Sequence, residues 1–485
     1  MDYKKLTILD LRKKLDNNEI NGEKLFDDVK SIAHQYQDDI NCFVTILDKY
    51  KHKKSISLLD NVPYALKDNI STAGILTTAS SNILKDYIPV YDATVYKKLK
   101  QSGAVLVGKT VLDELAMGGT GTTGHTGIVR NPWDKTRQIG GSSAGSAAAV
   151  ALGIVPFSLG SDTGDSIRKP AAFGGIVGFK PTYGRISRYG LFAFASSLDH
   201  IGCFTRCVED AAIVTDILKG KDYHDMTTLE DSDENYQLML NNDVRGRKLF
   251  YFKDVCDPKN YDESDLELIE ILNQFKKTIE KIKELGIEVE EVNFPKEILS
   301  ALYPTYMIIS CAESTSNNSN LTGIQFGLHE KGNSIEEIMY NTRTAGFSEF
   351  IKRRFILGSY ILQKENQERL FKNAQRVRHL LVNKINKLFE KYDGLIMPSS
   401  GGIAPKFEEV SDKLSDKYLI LENHLVIGNF GGYPSISIPS GFVNGLPISI
   451  NITGRQKEDG LVLNIANKIE NKLGYKGIIA GDKNV

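Results

Sequence analysis

Two clusters of hydroxyl residues are the part of this sequence best suited to nucleophilic chemistry. They are GGSSAGS at 140–146 and GSDTGDS at 160–166. The apolar run at 155–159 predicts a strand that enters the second cluster, and 167–173 predicts a short helix that leaves it. A strand, a tight turn and a helix N-terminus leave backbone N–H groups free to hold an anion or a developing oxyanion. Ser166 lies at this turn. The density of small residues implies that the backbone closely approaches a substrate or another part of the chain.

A serine nucleophile also needs a group that accepts its proton, and histidine is the usual one. None of the eight histidines stands in a recognisable triad motif, but His125 and His200 lie close to these clusters and are candidates. Another alternative is Ser143, because residues 141–145 match the G-x-S-x-G pattern of a nucleophile elbow. That elbow requires a preceding strand, and residues 134–138, DKTRQ, are too polar to form one.

A further motif concerns phosphate binding. Residues 103–110, GAVLVGKT, match the G-x-x-x-x-G-K-[ST] pattern letter for letter. A phosphate loop needs a strand before its first glycine and a flexible interior. Here a predicted helix at 93–101 precedes the motif, and four apolar residues fill it. The segment is therefore interpreted as containing a buried strand at 104–107, and no nucleotide site is expected there.

Composition limits the classes of function. The 485 residues include 60 basic and 61 acidic side chains, a net charge of −1, so no field over the whole protein attracts nucleic acid. Five cysteines without a pairing pattern fit a reducing cytoplasm, and Cys203 and Cys207 lack the second pair that a zinc site would need. The charged start of the chain is not a signal peptide, and no apolar run reaches membrane-spanning length. A cytoplasmic protein without a metal, DNA or membrane partner is expected.

Helices and strands alternate along the chain, which favours an α/β fold. Thr7 and Asn21 are predicted to cap the first two helices, and Asp92 the helix at 93–101. An apolar strand at 62–70 contains one lysine, Lys67. The polar, acidic stretch at about 220–245 is interpreted as a surface excursion. Further predicted elements are strands at 248–252, 287–292, 394–397, 435–439 and 448–452, and helices at 208–219, 265–285, 335–357, 363–392 and 461–473.

Four motifs together resemble those of a known family. They are GGSSAGS, SDTGDSIRKPA, GFKPTYGRISRYG and FASSLDHIGCFTR, and the sequence resembles the amidase signature family. The resemblance is strongest over 61–208 and patchier beyond 300. It implies one large α/β/α domain over 1–485, built around a mixed, mostly parallel sheet, with a second wall of the substrate site at about 300–440.

The resemblance implies a Ser–Ser–Lys mechanism that proceeds through an acyl-enzyme. Ser166 matches the family's nucleophile, Ser142 its bridging serine and Lys67 its lysine. A lysine accepts a proton only when it is neutral, and burial in the apolar run around Lys67 would lower its pKa. Without the resemblance, the same residues would be interpreted as a lysine whose ammonium reaches solvent and as serines that satisfy N–H groups of turns.

The family's oxyanion hole matches the backbone N–H groups of Thr163, Gly164, Asp165 and Ser166. Most members have glycine where this chain has Asp165. Either aspartate fits the backbone there directly, since it tolerates a positive φ better than most residues, or its carboxylate faces the substrate's ammonium group.

Substrate recognition is also implied by the resemblance. Arg353 and Arg354 match the family's carboxylate-binding segment, and the sequence leaves open which of them binds. Glu422 stands where glutamine-specific members have Asp, and its carboxylate can pair with an amine. Tyr306 is a candidate wall residue, and the glycine- and threonine-rich loop at 118–127 is expected to form another wall.

Within the family, the motifs are most similar to those of the glutamine-hydrolysing A subunits of tRNA-dependent amidotransferases. The implied function is release of ammonia from glutamine, for amidation of misacylated Glu-tRNA(Gln) or Asp-tRNA(Asn). A B subunit would use ATP and magnesium and receive the ammonia, and a small C subunit would join it, so this chain is expected to bind no cofactor. Two alternatives remain open. One is a stand-alone amidase for a small amide. The other is an inactive scaffold, suggested by Asp165 and by the loop at 119–124, which lacks the Glu usual in the family.

Overall fold

The computed structural model describes residues 3–230, 233–409 and 412–481. Its strands, numbered along the chain, are β1 (Phe43–Ile46), β2 (Pro63–Lys67), β3 (Val105–Thr110), β4 (Phe157–Asp162), β5 (Val177–Lys180), β6 (His200–Thr205), β7 (Lys248–Phe252), β8 (Glu288–Val292), β9 (Gly394–Pro398), β10 (Ser435–Val443) and β11 (Leu446–Gly454). All of them belong to one sheet, in the order β1-β3-β2-β4-β6-β5-β10-β11-β9-β7-β8. The strand that contains Lys67 and the strand that enters the second hydroxyl cluster are therefore neighbours.

Helices pack on this sheet and on one another. They are α1 (Ile8–Asp16), α2 (Gly22–Ile40), α3 (Thr94–Gln101), α4 (Ala144–Ala151), α5 (Arg168–Gly174), α6 (Val208–Leu218), α7 (Tyr236–Met239), α8 (Leu266–Lys283), α9 (Lys296–Ser300), α10 (Leu302–Asn317), α11 (Ile335–Gly346), α12 (Glu349–Leu362), α13 (Lys364–Gln367), α14 (Asn373–Phe389), α15 (Ile427–Phe430) and α16 (Asp459–Leu473). Short 3-10 turns at Asn82–Leu84, Glu114–Ala116, Pro258–Asn260 and His424–Val426 and π-helical turns at Glu368–Lys372 and Lys417–Leu421 complete the regular structure.

Helix α4 lies in the centre of the core. All eight of its residues are buried, and it contacts β2, β3, β4 and β6. Its composition of Ala, Gly, Ser and Val permits this, because a side chain on Gly145 would lie only 2.2 Å from the Cys42 carbonyl oxygen. At this glycine, the close approach expected from the first hydroxyl cluster is an approach to another part of the chain.

The α/β fold with a mixed sheet is confirmed, but the expected predominance of parallel pairings is wrong. Six of the ten strand pairings are antiparallel. The reason lies in the middle of the sheet, where β6 runs antiparallel to β4 and β5, β5 pairs antiparallel with β10, and β10 and β11 form a hairpin. The helix–strand alternation that yields parallel pairs towards the two ends of the sheet does not extend through its centre.

Local signals predicted some helix boundaries correctly and others not. The predicted caps Thr7 and Asn21 are confirmed, since each side chain accepts a hydrogen bond from a first-turn N–H. Asp92 is not the cap of α3. Ala93 occupies that position, and the Asp92 carboxylate instead accepts from the Ala73 N–H at 2.7 Å. The single helix predicted at 335–357 is two helices, because the chain is extended at Phe347 and Ser348 caps α12.

Some features bear on whole classes of function. Among the described residues, no helix has both the length and the apolar character needed to cross a membrane. In the same ranges, no group of three or more His, Cys, Asp or Glu side chains is arranged to hold a metal ion. Within the predicted excursion at 220–245, residues 231 and 232 lie outside the described residues, as do 410 and 411 within the predicted wall at 300–440.

Candidate active site

The sheet brings the two hydroxyl clusters and Lys67 to one edge. Strands β2 and β4 are parallel neighbours, so that their carboxyl ends, Lys67 and Asp162, lie at the same edge. Strand β6 runs antiparallel to β4 and begins at this edge with His200, which pairs with Asp162. The first hydroxyl cluster reaches the same place because the loop before α4 passes beside it.

Lys67 is completely buried and its ammonium group contacts hydroxyls. Its Nζ donates to Ser142 Oγ and Ser161 Oγ, both at 2.8 Å, and lies 3.3 Å from the Ser161 carbonyl oxygen. Burial lowers the pKa of Lys67 to about 7, although the carboxylates of Asp113 and Asp162 partly oppose this shift. Near neutral pH, Lys67 can therefore be an uncharged amine that accepts a proton in a large fraction of the molecules.

Ser142 follows a cis peptide bond with Gly141. Its carbonyl oxygen accepts a hydrogen bond from the Asp113 N–H at 3.0 Å, which fixes the loop against the neighbouring segment. The next serine, Ser143, is buried, and its hydroxyl donates to the Ser161 carbonyl oxygen at 3.0 Å. Since this hydroxyl is engaged inside the protein, the structure does not favour the elbow interpretation of Ser143.

Ser166 lies in the turn between β4 and α5 and is almost completely buried. Its carbonyl oxygen accepts from the Ser143 N–H at 3.3 Å, so that the two hydroxyl clusters are in direct contact. Among the described residues, no hydrogen bond joins the Ser142 and Ser166 hydroxyls. The structure therefore contains the Lys67–Ser142 contact of the predicted proton relay from Ser166 through Ser142 to Lys67. It places Ser166 beside this contact, without a hydrogen bond between the two serine hydroxyls.

The loop at 163–166 presents the predicted oxyanion donors. Within the described part of the chain, none of its four backbone N–H groups donates to a protein acceptor. Asp165 does not have a positive φ. The aspartate therefore fits this backbone without left-handed strain, and glycine is not required at this position.

A buried ion pair fixes the shape of this loop. Arg168 forms a two-pronged contact with Asp162, with Nε at 3.1 Å and Nη2 at 2.9 Å from the carboxylate oxygens. The same guanidinium donates to the Gly164 carbonyl oxygen at 2.9 Å. Burial opposes ionisation of Asp162, but the positive charges of Arg168 and Lys180 outweigh it and hold the pKa of Asp162 well below its usual range. Arg168 is also bound to three residues far along the chain, Leu425, Asn429 and Ser435.

The two histidine candidates have other contacts. His200 is buried, its Nδ1 lies 2.6 Å from the Leu198 carbonyl oxygen, and burial lowers its pKa well below the usual value. The His125 backbone N–H donates to the Ser80 carbonyl oxygen. Among the described residues, neither ring forms a hydrogen bond with Ser142 or Ser166. The structure does not support either histidine as the proton acceptor.

Sequence reasoning missed Asp113 and Ser161. The Asp113 carboxylate accepts from four consecutive N–H groups of the loop at 120–123, at 3.0 to 3.2 Å, while its own N–H holds Ser142. Ser161 shares the Lys67 ammonium and also accepts from Asn69 Nδ2 at 3.0 Å. An aspartate just before a Gly/Thr-rich loop is a usable signal for the first, since such carboxylates accept from loop N–H groups. For Ser161, the sequence contains no pattern that predicts its contact with Lys67, because this contact joins two neighbouring strands.

A cavity of about 750 Å³ opens next to the loop at 163–166. Its lining includes Asp165, the predicted wall residues Gly118, Gly119, Thr120, Thr123 and Tyr306, and two residues predicted to bind substrate, Arg354 and Glu422. The Tyr306 ring packs on the loop so closely that a side chain on Gly164 would lie 3.0 Å from it. The two arginines differ, because Arg354 lines the cavity whereas Arg353 is exposed and does not. The Nε and Nη1 of Arg354 are buried and have no hydrogen-bond partner among the described residues.

Glu422 and Asp165 face the same lysine. Lys169 Nζ lies 3.2 Å from Glu422 Oε2 and 3.5 Å from Asp165 Oδ2, and it also donates to the Glu422 carbonyl oxygen. The Glu422 carboxylate accepts in addition from Ser400 Oγ at 3.0 Å and from the Gly401 N–H at 2.7 Å. The predicted amine-binding carboxylate is thus already paired with a cation of the chain.

The phosphate-loop pattern has a structural explanation. Lys109 lies in β3, completely buried, and its Nζ donates to the Ile70 carbonyl oxygen at 2.9 Å and to Thr77 Oγ1 at 2.8 Å. It also forms an ion pair with Asp68 at 3.4 Å. The lysine of the motif is therefore part of the buried sheet, as the interpretation of this segment as a strand requires.

Comparisons with known proteins agree with this arrangement. Residues 28–463 match the family described as Amidase. The chain is 38% identical over 483 residues to the A subunit of glutamyl-tRNA(Gln) amidotransferase from Fusobacterium nucleatum, with 97% of each chain covered. It is 39% identical to the protein of the same name from Halothermothrix orenii, with 98% of this chain and 99% of that one covered. A crystal structure of the A subunit of glutamyl-tRNA(Gln) amidotransferase from Thermotoga maritima superimposes with a TM-score of 0.83 at 36% identity, covering 99% of this chain and 98% of that one.

Proposed function

Because the chain belongs to the amidase family, as its motifs predicted, we propose that it hydrolyses the side-chain amide of glutamine and supplies ammonia for amidation of misacylated tRNA. The observation that carries this proposal is the buried Lys67, whose Nζ lies 2.8 Å from Ser142 Oγ at the edge of the sheet where Ser166 lies. Near-full-length similarity to amidotransferase A subunits supports glutamine, rather than another amide, as the substrate.

The proposed reaction uses Lys67, Ser142 and Ser166 in sequence. Neutral Lys67 takes the proton of Ser142, which takes that of Ser166, whose Oγ attacks the carbonyl carbon of the glutamine amide. The carbonyl oxygen becomes an oxyanion, which the free N–H groups of the loop at 163–166 can stabilise. When this intermediate collapses, the C–N bond breaks and the proton returns through Ser142 to the leaving ammonia. Water then attacks the acyl-enzyme, and glutamate leaves.

Substrate recognition is proposed for residues of the cavity. Arg354 is the better candidate for the substrate carboxylate, since two of its guanidinium nitrogens lack a partner among the described residues and Arg353 lies outside the cavity. A guanidinium binds a carboxylate through two parallel hydrogen bonds. Glu422 is proposed to contribute to binding of the amino group, and Tyr306 to form the wall over Gly164.

The partners of this chain are also proposals. The relatives are named as A subunits, which supports a complex in which a B subunit uses ATP and magnesium and a C subunit joins the pair. A net charge of −1 supports placing the main tRNA surface on another chain. The names of these relatives favour Glu-tRNA(Gln) as the acceptor, and Asp-tRNA(Asn) is a second acceptor to be tested. We propose that the chain works in the cytoplasm as one domain over 1–485, with the signature core at 61–208.

The decisive experiment measures ammonia release from glutamine. The purified chain is assayed alone, and then with candidate B and C subunits and each misacylated tRNA. Weak release alone that rises strongly with the partners is the expected result. Turnover of simple amides without any turnover of glutamine would instead identify a stand-alone amidase.

Two serine variants separate the mechanisms in this assay. Ser166→Ala removes the proposed nucleophile and is expected to abolish turnover. Ser143→Ala, one position from the bridging serine, removes a hydroxyl that is bound to the Ser161 carbonyl, and it is expected to reduce turnover less. The elbow alternative requires the reverse order of effects. Covalent labelling of Ser166 by a serine-directed reagent would exclude an inactive scaffold.

A further inference from the structure

Asp165 has a carboxylate that the protein leaves largely unused. Its side chain contacts Lys169, one helical turn later, at 3.5 Å, and among the described residues it accepts no hydrogen bond from any backbone N–H or hydroxyl. The Glu422 carboxylate, by contrast, binds Lys169, Ser400 Oγ and the Gly401 N–H. Asp165 is therefore the carboxylate of this pair with oxygen lone pairs to spare.

The charges of Asp165, Lys169 and Glu422 set the local charge of the cavity beside the loop at 163–166. All three residues line it. Lys169 is closer to Glu422 than to Asp165 and also donates to the Glu422 carbonyl, so that its charge largely cancels that of Glu422. A substrate ammonium placed near Lys169 and Glu422 alone would meet a neutral pair. With Asp165, the cluster has one net negative charge, which matches one incoming ammonium.

We infer that Asp165 determines specificity for a substrate that carries an amino group. The Lys169 ammonium neutralises the Glu422 carboxylate, and Asp165 supplies the negative charge that attracts the substrate's ammonium group. The ammonium would then complete an alternating arrangement of two carboxylates and two cations beside the loop that contains Ser166. This inference rests on the proposed hydrolysis of glutamine. The backbone at Asp165 does not have a positive φ and could accommodate any residue, so that binding of an ammonium group would explain why an acidic residue stands there.

The test compares two substrates that differ only in the amino group. They are glutamine and 5-amino-5-oxopentanoate, which has the same amide and the same carboxylate but no ammonium. Asp165→Asn removes the charge and preserves the size of the side chain and the backbone N–H. It is expected to raise the KM for glutamine roughly 10- to 100-fold more than the KM for the deamino substrate, the range of a charge-assisted hydrogen bond, so that the preference for glutamine falls by the same factor.

Two further variants use the charge balance. Lys169→Gln leaves two negative charges and is expected to increase the preference for glutamine over the deamino substrate. Asp165→Asn combined with Lys169→Gln returns the cluster to one negative charge, now on Glu422, and is expected to recover most of the lost affinity for glutamine. Lys169→Gln leaves Asp165 in place, so this variant keeps the test valid if Asp165→Asn folds poorly.

The outcomes separate this inference from the function on which it rests. If the wild-type chain with its partner subunits releases no ammonia from glutamine, the proposed function and this inference both fail. If glutamine is hydrolysed but Asp165→Asn leaves its KM unchanged, only the role of Asp165 is refuted. An equal fall in kcat for both substrates would mean that Asp165 supports the oxyanion loop and does not bind the ammonium, which also refutes the inference.

Discussion

Lys67 and Lys109 are two buried lysines on neighbouring strands that differ in the chemistry of their surroundings. Strands β2 and β3 are parallel, with Lys67 opposite Thr110 and Lys109 opposite Leu66, so the two lysines are one residue out of register. Lys67 donates to the hydroxyls of two serines. Lys109 donates to a carbonyl and a hydroxyl and also faces the Asp68 carboxylate at 3.4 Å.

Burial alone does not distinguish the two lysines. Each is completely buried, and burial lowers the pKa of Lys67 to about 7 and that of Lys109 to about 8. The difference is the partner's charge. An ammonium in contact with a carboxylate is half of an ion pair, and removing its proton would leave a buried negative charge alone. An amine among hydroxyls can lose and regain its proton without leaving a charged neighbour unpaired. Of the two, Lys67 is therefore suited to proton transfer and Lys109 to structure.

The largest expected effect is on activity at Lys67. Lys67→Met should reduce ammonia release by about 10³-fold or more, because the proton acceptor of the relay is lost. The fold should remain intact, since the substitution removes a buried amine whose hydrogen-bond partners are uncharged. Ammonia release per folded molecule, with folding checked by circular dichroism, measures this. Ordinary turnover by the variant would refute the relay.

At Lys109 the expected effect is on stability. Lys109→Met leaves the buried Asp68 carboxylate with its hydrogen bonds from Thr78 but without the Lys109 ammonium, and should lower the free energy of unfolding by about 3–5 kcal/mol. Adding Asp68→Asn should recover part of this loss, because the buried charge is then gone. Urea denaturation of the single and double variants gives both values. If Lys109→Met is as stable as the wild type, the distinction between the two lysines does not hold.

The pH dependence of activity sharpens the comparison. Since only neutral Lys67 accepts a proton and its pKa is lowered to about 7, kcat/KM should rise between pH 6 and 8 and then level off. The same shift also affects stability: because the pKa of Lys67 is lower in the folded than in the unfolded chain, its contribution to stability decreases as the pH falls from about 10 towards 7. Initial rates at saturating and limiting glutamine measure the effect on activity. A flat profile over this range would contradict the assignment.

A smaller effect is expected from Ser161, the second hydroxyl on Lys67. Ser161→Ala removes one hydrogen bond and should lower kcat about tenfold, since the amine is then positioned mainly by Ser142. Ser158→Ala is a matched control on the same strand, because its buried hydroxyl donates to the Ser146 carbonyl and does not contact Lys67. Both variants should lose similar stability. Equal losses of activity would show that Ser161 has no special role.

Local sequence patterns predicted much of the secondary structure, and the motifs predicted the family. The apolar strand around Lys67, the caps at Thr7 and Asn21, and the helix–strand alternation each depend on residues close together in the chain. The phosphate-loop pattern could be rejected for the same reason, since its apolar interior indicates a buried strand.

What could not be predicted depends on contacts between distant residues. Lys169 contacts Glu422, which lies 253 positions later in the chain. Asp113 holds the Ser142 loop through a backbone hydrogen bond, which no pattern of side chains predicts. The antiparallel centre of the sheet was missed because β5 pairs with β10, which follows about 250 residues later. Periodicity reports which face of an element is apolar, but it does not report which strand lies beside it.

The contacts of Arg168 have a consequence for how the protein is made. This side chain shapes the loop around Ser166, yet three of its partners, Leu425, Asn429 and Ser435, lie 257, 261 and 267 positions after it. On the ribosome, the loop around Ser166 therefore cannot reach its final form until the chain is nearly finished. Chains that end before these residues therefore lack the contacts that hold the loop at 163–166 in the shape seen here.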